Sequence, residues 1–206
     1  MKHLPNTLTI GRLVLALYMF GALITVGAAL RGAHVPLPTE LFLVRSGVAA
    51  FIVASISDFL DGWLARRFGA VSLAGAILDP IADKVLVCGA IVGLMTTGLP
   101  VVFAAFGGLI LMREFAVSAL REVLAPRGVK LPVTLLAKTK TTLQLLALGA
   151  LMILVFWPEW GVRADGMFLH KAELAAIALL AAATFVTLIT GIQYGADAWN
   201  ALRKQA

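Results

Sequence analysis

Charge is scarce in this sequence, and cysteine scarcer still. Only 14% of the 206 residues are Asp, Glu, Lys or Arg, against about 25% in an average soluble domain, so a solvated surface around a core cannot be assembled from them. Cys88 is the single cysteine and lies in an apolar run. No intrachain disulfide can form, nothing marks the thiol as a nucleophile, and packing is its expected use. Histidine is nearly absent too: His34 and His170 fall in expected outer loops and His3 near an interface, so imidazole ligation of a metal is not expected. There is no internal repeat and no low-complexity tract. The net charge of +6 has no soluble domain on which to form a basic face, which excludes nucleic acid as an expected partner.

What the sequence has is apolar length. Hydrophobic residues make up 61% of the chain and fall in blocks near 13–30, 41–57, 85–112, 143–157 and 172–192, where a membrane span needs about 20 residues. The block from 85 to 112 is long enough for two spans, with Thr96, Thr97, Gly98 and Pro100 forming a turn in its middle. The expectation is an all-α integral membrane protein of six transmembrane helices in one domain, residues 1–206. A short interfacial segment carrying Pro5, Asn6, Thr7 and Thr9 precedes the first span, which ends near Leu30; the second helix starts near Thr39 or Glu40, and later turns fall at Gly98, Pro126 to Pro132 and Pro158 to Gly166. A cleaved signal is the weaker reading of the first 30 residues, because Arg12 borders the run and the run outlasts a usual signal core. Six spans put thirteen Lys and Arg residues on one side and only Arg31, Arg45, Arg163 and Lys171 on the other. By the positive-inside rule both termini are then cytoplasmic.

Against that background one segment is anomalous. Residues 57–84, SDFLDGWLARRFGAVSLAGAILDPIADK, place four aspartates between two apolar runs. An Asp at the centre of a span costs about 2.5–3.5 kcal/mol, so four unpaired ones approach about 10 kcal/mol or more, and something must offset that cost. Asp58 and Asp61 are three apart and share a helix face with Gly62 and Ala65; Gly75, Asp79 and Asp83, each four apart, share a face of the next helix. Phe68, Gly69, Ala70 and Val71 read as the turn, with Gly69 after the helix end and Ser72 as an N-cap. At 1.5 Å per residue, Asp61 and Asp79 lie about 11 Å from that turn and Asp58 and Asp83 about 16 Å, which gives two levels of facing carboxylates. Such a group repels itself unless cations join it. Two divalent ions would cancel four carboxylates, and an all-oxygen donor set favours Mg²⁺, Mn²⁺ or Ca²⁺, with positions left open for phosphate oxygens. Gly62, Ala65 and Gly75 would let a ligand approach the backbone, although small residues also serve close helix packing.

A basic cluster is expected on the same side. Arg113, Glu114, Ser118 and Arg121 form a stripe on the fourth helix, while Lys138 and Lys140 open the fifth. An arginine set about half a dozen residues inside a span needs an anion, so Arg113 should meet Glu114, an aspartate or a bound phosphate. Arg121, Lys138 and Lys140 also fit ordinary positive-inside residues or lipid-headgroup contacts.

Asp58, Asp61, Gly62, Ala65, Arg66, Gly75, Asp79 and Asp83 reproduce DxxDGxxAR followed by GxxxDxxxD, and with this signature the chain resembles the CDP-alcohol phosphotransferase family. LPNTLTIGR at 4–12, REFAVSALREVLA at 113–125 and AKTKTTLQ at 137–144 are similar to its bacterial phosphatidylglycerophosphate synthase branch. The resemblance implies a homodimeric six-helix fold in the cytoplasmic membrane, with a polar cavity open to the cytoplasm. It implies transfer of a phosphatidyl group from CDP-diacylglycerol to sn-glycerol 3-phosphate with release of CMP. Asp58, Asp61, Asp79 and Asp83 would surround two Mg²⁺ or Mn²⁺ ions, with Asp83 as general base. Gly62, Ala65, Arg66 and Gly75 would line the CDP portion with Asp58 and Asp61, joined by Asn6, Thr9 and Arg12 near the nucleotide; Arg113, Arg121, Lys138 and Lys140 would hold the acceptor phosphate. Inositol phosphate, or phosphatidylglycerol as in a cardiolipin synthase, is the alternative acceptor. A cation channel or transporter is the alternative of another class, disfavoured by a basic cluster on the same side as the carboxylates.

Overall fold

The computed structural model describes residues 4–68, 73–128 and 135–203, with the side chains at 4–6, 59–68, 73, 74, 76, 135, 137 and 138 outside that description. The expected turn of Gly69, Ala70, Val71 and Ser72 lies outside the described residues. Among those described there are six α-helices and no strand: α1 (Leu4–Leu30), α2 (Leu37–Phe68), α3 (Leu73–Met95), α4 (Val101–Leu124), α5 (Leu135–Val155) and α6 (Gly166–Arg203). Short 3₁₀ turns, Ala125–Arg127 and Trp157–Trp160, end in Gly128 and Gly161 at positive φ, where a side chain would be strained. The long apolar block does break between α3 and α4, at Gly98 with φ +83°.

Thr7–Leu30, Leu37–Asp58, Val101–Arg127 and Gly166–Arg203 are long and apolar enough to cross a membrane, and Thr139–Val155 is a shorter apolar stretch. The helix α3 is broken chemically by Asp79, Asp83 and Lys84. Exposed side chains such as Val14, Leu17, Phe42, Phe185 and Ile192 are what a lipid-facing surface requires, since helices apolar all round have no solvated face. The interfacial segment expected before the first span is not separate in its backbone. Helix α1 runs unbroken through Pro5, which sits in its first turn where the missing N–H costs nothing. Its 27 residues extend about 40 Å, longer than a hydrocarbon core of about 30 Å.

The described chain forms two compact units, residues 1–99 with 148–173, and residues 100–147 with 174–206. In the first, α1 packs against both α2 and α3. The pairs Thr9–Asp79, Arg12–Asp83, Leu23–Gly93 and Gly27–Thr96 climb together, so α1 and α3 run parallel. Arg12 with Asp58 and Ala22 with Gly47 run oppositely, so α1 and α2 are antiparallel. Glycine sets the closeness of the α1–α3 crossing: a Cβ on Gly93 would stand 2.7 Å from Leu23, and one on Gly27 only 2.9 Å from the Thr96 carbonyl oxygen. In the second unit Arg113 and Arg121 of α4 meet Thr190 and Tyr194 of α6 in the same order, so these helices run in one direction.

Candidate active site

The close crossing of α1 with α3 brings the first turns of α1 beside the acidic part of α2 and α3. Thr9 is buried and its hydroxyl donates to Asp79 Oδ1 at 2.6 Å. One turn further on, Arg12 is 1% exposed, among the largest fully buried side chains of the described residues. Its Nη1 donates to Oδ1 of Asp58 on α2 and, at 2.6 Å, to Oδ1 of Asp83 on α3, while Nη2 reaches Asp79 Oδ1 at 3.3 Å. Asp58 and Asp83, assigned to one depth by counting residues from the turn, thus share a single nitrogen of one guanidinium. The three carboxylates keep 34–49% of their side-chain surface open. Pro80 lies between Asp79 and Asp83 inside α3; lacking an N–H, it deprives the carbonyl of residue 76 of its helical donor, one turn before the acidic pair.

The side chain of Asp61 lies outside the described residues, as do those of Asn6, Gly62, Ala65, Arg66 and Lys138; Gly75 is buried. Among the described residues no three of His, Cys, Asp and Glu form a metal-holding group by themselves; a guanidinium contacts all three described carboxylates. The donor set nevertheless fits a hard divalent ion: it is all oxygen, converges from two helices, and already holds a cation at its centre.

The second unit carries the basic cluster. Arg113 is 8% exposed; its Nη1 reaches Glu114 Oε1 at 3.2 Å and its Nη2 donates to Thr190 Oγ1 at 2.9 Å. Glu114 Oε1 also accepts from the buried Lys140 ammonium. The anion expected for Arg113 is therefore its own neighbour in sequence. Arg121 is exposed, donates to the Tyr194 hydroxyl at 3.1 Å, and lies 5.1 Å from the centroid of that ring, with Arg113 at 5.5 Å. Thr187 accepts from Gln144 at 2.8 Å. So Thr187, Thr190 and Tyr194 make α6 a ladder of acceptors for donors on α4 and α5. Gly191 completes the fit, since a Cβ there would stand 2.9 Å from Arg113 Cγ.

These α6 residues were not singled out from the sequence, and the central position of Arg12 was not foreseen. The signal for α6 was available: Thr184, Thr187, Thr190 and Tyr194 recur at three- and four-residue spacing in an otherwise apolar helix. For Arg12 the resemblance points to the nucleotide and not to the carboxylates that it meets.

The profile of the CDP-alcohol phosphatidyltransferase family matches residues 2–192. Among similar proteins are three named CDP-diacylglycerol--glycerol-3-phosphate 3-phosphatidyltransferase. The Rickettsia bellii protein is 38% identical over 203 residues, covering 94% of this chain and 93% of its own. The Bacillus subtilis protein is 32% identical over 212 residues, 98% of each. The Haemophilus influenzae protein is 32% identical over 194 residues, 93% of this chain and 91% of its own.

Proposed function

The chain belongs to the CDP-alcohol phosphatidyltransferase family, and from that premise we propose that it transfers the phosphatidyl group of CDP-diacylglycerol to sn-glycerol 3-phosphate, giving phosphatidylglycerophosphate and CMP. The observation that carries the proposal is the convergence of Asp58, Asp79 and Asp83 from two helices on one cationic centre. That is an arrangement suited to neutralising a diphosphate once divalent ions are present. The names of the similar proteins support the choice of acceptor.

In this reading two Mg²⁺ or Mn²⁺ ions held by Asp58, Asp61, Asp79 and Asp83 supply charge neutralisation to the diphosphate and to the departing CMP. Gly62, Ala65 and Gly75 give the CDP portion room near the backbone, with Asn6, Thr9 and Arg66 as its polar contacts. Arg113, Arg121, Lys138 and Lys140 hold the acceptor phosphate. Asp83 takes the proton of the acceptor's primary hydroxyl; that oxygen bonds to the lipid-side phosphorus, and the bond from this phosphorus to the CMP phosphate oxygen breaks, its electron pair leaving with CMP. No covalent enzyme intermediate is needed, as the signature pairs no Ser, Cys or His with a base. The donor's acyl chains stay in the bilayer while its headgroup reacts, which is the reason for a membrane-embedded fold; six spans in the cytoplasmic membrane are part of the proposal. A cavity open to the cytoplasm, cytoplasmic termini and a homodimer complete the proposal.

The test is an acceptor panel. Purified protein is given CDP-diacylglycerol, Mg²⁺ or Mn²⁺, and glycerol 3-phosphate, inositol phosphate or phosphatidylglycerol, and the lipid product is identified by mass. Phosphatidylglycerophosphate with stoichiometric CMP, abolished by chelator, is expected. A product only with another acceptor would reassign the substrate, and no CMP from any acceptor would overturn the reaction class.

A further inference from the structure

We propose that Arg12 is the built-in counter-cation of the carboxylate cluster, holding it together in the metal-free protein and competing with divalent metal for it. The inference rests on the metal-binding reading given above, and three observations carry it.

The first is position. Nη1 donates to Oδ1 of Asp58 and of Asp83 at once, so it takes up oxygens that a metal held by these aspartates would need. An ion drawing on them would compete with the guanidinium.

The second is charge. Among the described groups one guanidinium faces three carboxylates, which leaves the cluster negative and attractive to a divalent ion. Two such ions bring four positive charges, matching Asp58, Asp61, Asp79 and Asp83, and an arginine retained among them would be in excess. Its charge then has to find another anion, and the phosphates of the donor are the anions that arrive at this site.

The third is burial. An arginine 1% exposed, its charge met by half-open carboxylates of two other helices, is itself desolvated, and breaking its contacts without replacement leaves a buried charge unpaired, which is costly. The cluster therefore releases Arg12 only when ions take over the carboxylates. The N-terminal helix carries this cation between two helices not otherwise joined by a described ion pair.

A purely structural salt bridge predicts otherwise: the arginine's main effect would be to keep the carboxylates in place, and removing it would disorganise them and weaken Mn²⁺ binding or leave it unchanged. The discriminating experiment is Mn²⁺ titration of detergent-purified full-length protein followed by electron paramagnetic resonance, without substrate, on wild type, Arg12→Gln and Arg12→Lys. Competition predicts that Arg12→Gln binds Mn²⁺ about tenfold more tightly or better, a modest share of what removing a close like charge can yield. Its metal-free form should melt earlier than wild type, with most of the deficit recovered at saturating Mn²⁺. Arg12→Lys keeps the charge but loses the fork that spans two carboxylates, so its Mn²⁺ affinity should fall between the two. Should Arg12→Gln fail to fold, Arg12→Lys decides: tighter binding than wild type upholds the inference and equal or weaker binding overturns it. Equal or weaker binding by Arg12→Gln, with wild type binding Mn²⁺, overturns the counter-cation role alone. No Mn²⁺ binding by any of the three overturns the metal reading of the cluster together with it.

Discussion

Replacing Gly27 with alanine tests whether the acidic site depends on how closely α1 lies on α3. An added Cβ would stand 1.9 Å from Thr96 Oγ1, 2.5 Å from its Cβ and 2.9 Å from its carbonyl oxygen. A rotamer change moves the hydroxyl, but the Cβ and the carbonyl are fixed to the backbone of the turn that follows α3, so that turn or α1 must shift. Overpacking of this kind costs about 1–3 kcal/mol, and the backbone obstacle puts Gly27→Ala at the upper end. At Gly93 the obstacle is the Leu23 side chain at 2.7 Å, which can repack in part, so about 1–2 kcal/mol is expected. Gly21, on the same helix as Gly27, has nothing within 4 Å of the added atom, and alanine there should be neutral or stabilising by up to about 1 kcal/mol. Thermal unfolding of the three variants in one detergent should rank them Gly21, Gly93, Gly27 from most to least stable. Because Thr9 and Arg12 reach the carboxylates through the same crossing, turnover should fall in that order as well, by about a hundredfold if α1 shifts by about 1 Å. If Gly27→Ala melts and turns over like Gly21→Ala, the crossing does not position the site.

Asp83→Asn should abolish turnover while CDP-lipid binding persists, measured by nucleotide-lipid titration; full activity would remove Asp83 from the role of base. Tyr194→Phe loses the hydrogen bond from Arg121 but keeps the ring between the two arginines, so KM for glycerol 3-phosphate should rise only about two- to fivefold, from a bond worth about 0.5–1 kcal/mol. Tyr194→Ala also loses the ring and should raise KM further, while an unchanged KM in both would separate Arg121 from the acceptor. Glu114→Gln leaves Arg113 and the buried Lys140 without their shared anion, a loss of about 3 kcal/mol or more read as a lowered unfolding temperature. Added glycerol 3-phosphate should recover part of that loss if its phosphate binds the same cations.

What was legible in the sequence was whatever follows from periodicity and cost. The faces were legible because i, i+3 and i+4 spacings place Asp58 on one helix face and Asp79 and Asp83 on another, and the cost of carboxylates in an apolar chain said that something must offset them; the turn of the expected hairpin lies outside the described residues. The turn between α3 and α4 was legible because Gly98 and Pro100 punctuate an overlong apolar block. The partners were not. Nothing in the spacing of α1 says that Arg12 faces Asp58 and Asp83, since that depends on an α1–α3 approach set by Gly27 and Gly93, whose effect appears only when their neighbours are known. For the same reason Glu114, next to Arg113 and on the same stripe, looked like one candidate anion among several. Its bond to Lys140, 26 residues away, shows why it is the one used.

The two polar clusters follow one rule. Each contains, before any substrate arrives, a group of opposite sign: a guanidinium among carboxylates in the first unit, a carboxylate between an arginine and a lysine in the second. In water such internal pairing would add little, because solvent screens the charges. Inside a chain with so few charges and so much apolar surface, each cluster needs a counter-charge to remain folded and hydrogen-bonded while empty. That requirement has a consequence for binding. In the proposed reading, a metal at the first cluster or a phosphate at the second would gain only the difference between its own attraction and that of the resident group. Under the proposed function, affinity would thereby be moderated at both places by a side chain of the protein itself, Arg12 in one and Glu114 in the other, and a doubly charged ligand would be favoured over a singly charged one at each.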